Sequence, residues 1–288
     1  MDKNEIGIDH YSPSSLMTYE SCPKLFYYTY WLGIKIPEAQ DQRHLQFGTA
    51  VHASLDHIYA LYDNNFGGGW IGAKFSSVKR RFLENFKFIH ISDDEFMRFI
   101  KTKKGSFYKT KEQLYNAMVE DGLNMLQEYW DNKELLLSEH NIDITKTEIP
   151  VKGFLENPLK KEEFHPIPVS MRLDGRNRNG SIVEFKTSSS KYNEDETLHK
   201  LQGLAYAFSI YQEEKYVPEV IYVILLKGQK EGKRLQVIHL HYTEEDMIMF
   251  YNRVEVILQK MKNKEFSKPI KDHPFFCQCD IYTAALTI

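Results

Sequence analysis

Three side chains within residues 171–187, MRLDGRNRNGSIVEFKT, stand at spacings that can do chemistry: Asp174, Glu184 and Lys186. The β-prone runs 169–173 and 181–185 flank a turn rich in Gly, Asn and Arg. Gly175 and the pair Asn179–Gly180 are expected to supply the positive φ values of a tight reversal, so the stretch reads as a hairpin. Asp174 ends its first strand. Glu184 and Lys186, two apart on the second, leave one face, while Val183 and Phe185 point the other way into a core. Two carboxylates and an ammonium at one edge of a sheet are what metal-assisted hydrolysis requires. The carboxylates hold a hard divalent cation, and the lysine orients water or neutralises charge on the transition state. A solvated hairpin face carries the same residue types, so the rest of the chain has to decide.

The elements around this hairpin can be read in order. Ser12 is an expected N-cap, Pro13 opens a helix, and Leu16, Tyr19 and Leu25 share one side of it. The aromatic run 19–28, with Cys22 inside it, continues as one buried helix. Val51, Leu55, Ile58, Tyr59 and Tyr62 recur at helical spacing, which puts His52 on a helix beginning near Gly48 and ending at the glycine-rich stretch 64–69. Residues 70–135 read as helical: a Lys/Arg-rich segment, a short helix from Asp93 and a long one over 109–133. This region is expected as an insertion spanning about 67–138. Strands follow at 142–155, 167–174 and 181–187, then a helix at 194–213 bearing Gln202 and Tyr206. Further strands at 217–226 and 234–242, a last helix from Thr243 to about 262 and a tail over 265–288 complete the chain. The expectation is a single α/β domain over 1–288, with a central mixed sheet flanked by helices.

Composition narrows the setting. At 288 residues, 42% hydrophobic and 27% charged, the chain is that of a soluble globular protein. It has no apolar run near the roughly 18 residues of a membrane span, and its polar start MDKNEIGIDH lacks a signal-peptide core, so a cytoplasmic location without membrane contact is expected. Net charge is −3 and the pI about 6.4, so any field that attracts nucleic acid must be local. Its candidates are Lys79-Arg80-Arg81 and the cluster Lys101, Lys103, Lys104, Lys109 and Lys111. Three cysteines, Cys22, Cys277 and Cys279, are too few for a disulfide framework and fit a reducing compartment.

Four separate stretches together resemble the PD-(D/E)XK nuclease superfamily, and more narrowly its RecB-like branch of recombination nucleases and CRISPR-associated exonucleases. These are Ser12-Pro13-Ser14-Ser15-Leu16 through Tyr19, Cys22-Pro23 and Phe26; Phe47-Gly48-Thr49-Ala50-Val51-His52; Asp174 with Glu184-Phe185-Lys186-Thr187; and Gln202-Gly203-Leu204-Ala205-Tyr206. The resemblance implies a restriction-endonuclease-like core. It also implies roles. Asp174, Glu184 and His52 would hold Mg²⁺ or Mn²⁺, with the Phe185 carbonyl close by and the imidazole favouring Mn²⁺. Lys186 would position water or stabilise the transition state, and Gln202 and Tyr206 would orient Lys186 or touch the scissile phosphate.

The branch also includes members with a [4Fe–4S] cluster, one cysteine in the N-terminal aromatic helix and three near the C-terminus. Cys22, Cys277 and Cys279 fall at such places, but four thiolates are the usual requirement. A full cluster would need another ligand such as His273 or Asp280. The expected state is a degenerate site, in which packing joins the two chain ends. The activity implied is metal-dependent DNA hydrolysis, as an exonuclease on ends or single strands in recombination, repair or replication, with a helicase or recombination partner as the associated assembly. The competing reading is a non-catalytic DNA-binding or scaffold module on the same fold.

Overall fold

The computed structural model describes residues 9–34, 42–63, 72–160, 164–267 and 279. Among these residues five strands form one sheet in the order β1-β2-β3-β4-β5: Ile144–Glu156, Phe164–Asn177, Ile182–Ser188, Val220–Leu226 and Leu235–Leu240. β3 and β4 run parallel and every other neighbouring pair is antiparallel, so the sheet is mixed. All seven residues of β4 are buried, as befits a strand covered on both faces. Its side chains divide by the period of two. Tyr222 and Ile224 join Leu173, Ile182 and Leu240 in a core shared with the helices Pro13–Ser21 (α1), Leu201–Glu214 (α9) and Glu244–Lys262 (α10). Ile221, Val223 and Leu225 join Val183 and Phe185 in a second core on the opposite face, with Val51, Leu55 and Ile58 of the helix Arg43–Asp63 (α3).

The helices between residues 75 and 140 pack on that side. They are Phe75–Asn85 (α4), Asp93–Phe99 (α5), Lys111–Asp131 (α6) and Lys133–His140 (α7). All but α5, whose Phe96 sits in a small cluster with Ile91 and Leu114, contribute to that second core. Phe82 of α4, Met125, Leu126 and Tyr129 of α6, and Leu136 of α7 pack in one cluster with Phe185. Polar clamps fix α6 to the β4–β5 turn. Asp121 accepts the Gly228 N–H at 2.9 Å, and Glu128 accepts the Gly232 N–H at 2.9 Å and the Arg234 N–H at 2.7 Å.

Several elements differ from the sequence reading, each for a local reason. The aromatic helix over 19–28 is broken. Proline at position 23 cannot continue a helix, and Cys22 is extended there (φ −158°) and caps the restart Pro23–Phe26 (α2) by accepting the Leu25 N–H on its Sγ at 3.3 Å. A π-helical turn, Tyr27–Trp31, follows. α3 begins at Arg43 rather than near Gly48, because Gly48 lies inside the helix against Thr187 instead of starting it. The helix expected at 194–213 is two: Glu194–Leu198 (α8), then α9 after Lys200 turns extended. Gly180 has the expected positive φ, but neither Asn179 nor Gly175 does. Gly175 sits inside β2 opposite Val183, and a Cβ there would come within 2.9 Å of Ile144 Cδ1, so close packing requires it instead. Finally, β3 is the middle strand, so Glu184 and Lys186 are not at a sheet edge. The 64–69 stretch and most of the tail, Cys277 included, lie outside the described residues.

Gly122 tests how tightly α6 is seated. A glycine inside an exposed helix costs about 1 kcal/mol relative to alanine, so Gly→Ala ordinarily stabilises. Here an added Cβ would lie 2.5 Å from Phe82 Cζ and 3.0 Å from Phe47 Cε2. Gly122→Ala is therefore expected to destabilise, by about 1–3 kcal/mol of overpacking less the propensity gain. Urea unfolding checks it, and a raised midpoint would show that α6 is loosely packed.

Candidate active site

The site forms where β2 and β3 part. Their ladder holds only Gly175 opposite Val183 and Arg176 opposite Ile182. Beyond Gly175 the strands diverge, and the outer part of β2 is bridged instead by Tyr11, which donates its N–H to Pro168 and accepts from the Ser170 N–H at 2.7 Å. The divergence would leave backbone groups of β3 unpaired. Asp174 answers for one of them: its Oδ2 accepts the Phe185 N–H at 2.9 Å. The same oxygen lies 3.5 Å from His52 Nδ1, brought in by α3. α3 is in turn held to the sheet by Val51, Leu55 and Ile58 in the core that contains Phe185.

Glu184 and Lys186 leave the other face of β3, toward α9. Glu184 is 1% exposed. Its Oε1 accepts from the Lys186 ammonium and, at 2.7 Å, from Gln202 Nε2, whose other proton goes to the Tyr206 hydroxyl at 2.8 Å. Glu184 Oε2 is buried and has no hydrogen-bond partner among the described residues. Gln202 and Tyr206 stand one turn apart on α9, so a single helix face brings both to the carboxylate. Tyr222, paired in register with Glu184 on β4, is equally buried. Its hydroxyl too has no partner among the described residues.

The charges explain one another. Burial raises the Glu184 carboxyl, and the neighbouring Asp174 charge raises it further, to about 8 despite Lys186. For Asp174 burial also acts upward, but the His52 contact, the Phe185 N–H and Lys186 outweigh it and hold the carboxyl below its usual range. Burial pulls His52 down, yet Asp174 and Glu184 together leave it raised. Lys186 follows the same pattern: burial lowers it and the Glu184 charge prevails, so it stays an ammonium. The Tyr206 phenol is pushed far up, by burial and then by Glu184, so it stays neutral while accepting from Gln202.

Of the residues singled out from the sequence, His52, Asp174, Phe185, Glu184, Lys186, Gln202 and Tyr206 are brought together. Gln202 contacts Glu184 rather than Lys186, and Phe185 touches Asp174 through its N–H. Tyr222 was not anticipated. It lies in the unbroken apolar run of β4, where only its register opposite Glu184 marks it out. Cys22 and Cys279 are buried in a separate small cluster with Tyr28.

A match to a family model decides what this constellation sits in. The model of the PD-(D/E)XK nuclease superfamily aligns over residues 10–281. The chain belongs to the PD-(D/E)XK nuclease superfamily. Among solved structures, a Eubacterium rectale protein provisionally named an exonuclease shares 12% identity at a TM-score of 0.49, covering 95% of this chain and 88% of its own. SSO0001 shares 17% identity at a TM-score of 0.28, over 57% of this chain and 70% of its own. No curated protein matches. No helix among the described residues is long and apolar enough to cross a membrane.

PD-(D/E)XK nucleases generally use divalent metals such as Mg²⁺ or Mn²⁺. Among the described residues no three His, Cys, Asp or Glu side chains converge into a ready metal cage. The donor set nevertheless fits such a cation: an ionised Asp174, an imidazole beside it, and a buried Glu184 oxygen with no hydrogen-bond partner among the described residues.

The raised Glu184 value carries a sign that can be tested in the metal-free protein. Between its ordinary value of 4.5 and about 8, the folded chain holds a proton that the unfolded chain has released. The stability this contributes is complete below 4.5 and is lost as pH rises through about 8. Glu184→Gln removes the titration. Its melting temperature in EDTA should therefore gain on the parent's progressively from mildly acidic to mildly alkaline pH. Parallel pH curves for the two proteins would contradict the assignment.

Proposed function

We propose that this chain is a divalent-metal-dependent deoxyribonuclease, an exonuclease acting on DNA ends or single strands in recombination, repair or replication. The observation that carries the reading is the buried Oε2 of Glu184, without a partner among the described residues, next to an ionised Asp174. A carboxylate oxygen taken out of water without a partner costs several kcal/mol unless a cation or proton meets it. Asp174, Glu184 and His52 would hold that cation. When bound, it supplies Lewis-acid polarisation of a phosphate and an acidified water.

The chain's own residues account for the remainder. Lys186, fixed by its bond to Glu184, presents a permanent positive charge where negative charge grows on the phosphate oxygens. Gln202 keeps Glu184 in one rotamer, and Tyr206 fixes Gln202, so the carboxylate is oriented before substrate arrives. Asp174 is locked by the Phe185 N–H, which ties its position to the backbone of the strand carrying the other two groups. The hydrophobic packing of Phe185 between Tyr59 and Tyr129 keeps that strand from shifting.

End-labelled linear DNA and a closed circle, each with Mn²⁺ or chelator, test the reading. The parent should degrade the linear form only when metal is present and leave the circle. Asp174→Ala and Glu184→Ala should abolish turnover while remaining folded. Lys186→Ala should slow single-turnover cleavage by about 10²–10³-fold with binding retained. His52→Ala should lose activity that high Mn²⁺ partly restores. Metal-independent cleavage, or near-parental turnover in either carboxylate variant, would overturn the proposal. Metal and DNA binding without cleavage by the parent would favour the non-catalytic module.

A further inference from the structure

Residues 100–111, IKTKKGSFYKTK, hold five lysines and no acid in a chain whose net charge is −3. Lys111 is engaged, by Asp93 at 2.6 Å and the Ile91 carbonyl at 2.8 Å. Lys101, Lys103, Lys104 and Lys109 are exposed and have no ion pair among the described residues. In their midst Phe107 is 81% exposed. A phenyl ring so placed loses hydrophobic stabilisation and gains nothing from the fold.

The loop that presents it is held firmly. Thr102 Oγ1 donates to the Phe99 carbonyl at 2.7 Å and accepts the Gly105 N–H at 3.0 Å. The Ser106 N–H donates to the Thr102 carbonyl at 2.9 Å and the Tyr108 N–H to the Gly105 carbonyl at 3.0 Å. Gly105 is pressed so closely on Phe99 that a Cβ would fall 1.9 Å from its carbonyl oxygen. Tyr108 turns inward to stack on Phe99, which lies beneath the Arg43 guanidinium at 3.8 Å. Phe107 is thus displayed outward by a fixed turn.

The loop also adjoins the catalytic end of α3. Lys227 lies 5.7 Å above the Phe47 ring, and its pKa is lowered by burial and by the nearby Lys104 charge. Phe47 precedes Gly48, which packs against Thr187, the residue after Lys186. Positive charge therefore continues from the loop toward the site, with Arg234 neutralising Asp121 beside Lys227.

We propose that this loop holds single-stranded nucleic acid: Phe107 stacks on an unpaired base, and Lys101, Lys103, Lys104 and Lys109 take the flanking phosphates. The substrate class rests on the nuclease reading above. Four unpaired cations suit a polyanion, and a lone ring among ammonium groups is too small an apolar patch for a protein interface. Within a duplex the bases offer it no face, whereas a single strand does.

The test uses the full chain in EDTA, with a fluorescent single strand and a blunt duplex of equal length followed by anisotropy. Phe107→Ala should weaken single-strand binding by roughly five- to a hundredfold, with little change on duplex, and Phe107→Trp should restore it. Replacing the four lysines by glutamine should reduce the log–log salt slope by about 3, from roughly 0.7 per phosphate. Parental single-strand affinity in Phe107→Ala, an equal loss on duplex, no single-strand binding by the parent, or a change in self-association instead would overturn the proposal. Cleavage separates the two readings. If the parent cleaves and Phe107→Ala binds normally, the loop assignment fails and the nuclease stands. If binding depends on Phe107 but the parent never cleaves, the loop stands and the nuclease reading fails.

Discussion

The constraint on which this structure turns is a carboxylate buried in the middle of a sheet. Glu184 is inaccessible to water, sits beside a second carboxylate, and has an oxygen that no described residue meets. Such an arrangement is costly in isolation, by about 1–3 kcal/mol for an unsatisfied group and more for a charged one. It persists because the rest of the fold over-determines it. β4 pairs with β3 through seven consecutive residues, Lys186 and Gln202 occupy one oxygen, and α9 closes the face. The strain is local and the support is global, the usual division at functional sites.

The divergence of β2 from β3 is the second half of the device. A continuous ladder would bury Asp174 in strand pairing on one face and Glu184 on the other. Parting after Gly175 lets a side chain from β2 bond the backbone of β3, so Asp174 reaches across while its position stays tied to Phe185. The two cores then act as separate supports. The α3 side delivers His52 and secures Phe185; the α9 side delivers Gln202 and Tyr206. Neither helix layer alone would assemble the group.

Much of this was legible in the sequence because it rests on short-range periodicity. The alternation of Val183, Glu184, Phe185 and Lys186 assigns faces whatever the tertiary partners, and the helical repeat around Val51 and Leu55 places His52 on its helix. Gln202 and Tyr206 follow from a spacing of four. Legibility ended where partners come from far along the chain. Gly175 looks like a turn residue until Ile144 is known to press on it. Cys22 is a local exception, since the break that its sulfur caps is set by the adjacent Pro23. Tyr11 gives no sign that it completes β2, and Tyr222 reads as one more apolar strand residue until the parallel register sets it opposite Glu184.

The central claim is that Asp174 and the buried Oε2 of Glu184 together form a cation site. Thermal unfolding of the metal-free chain titrated with MnCl₂ tests it without any substrate, since a ligand that binds only the folded state raises its melting temperature with concentration. The account predicts a saturating rise for the parent, which is absent in Asp174→Asn and Glu184→Gln. No rise in the parent, or the same rise in both variants, would contradict it.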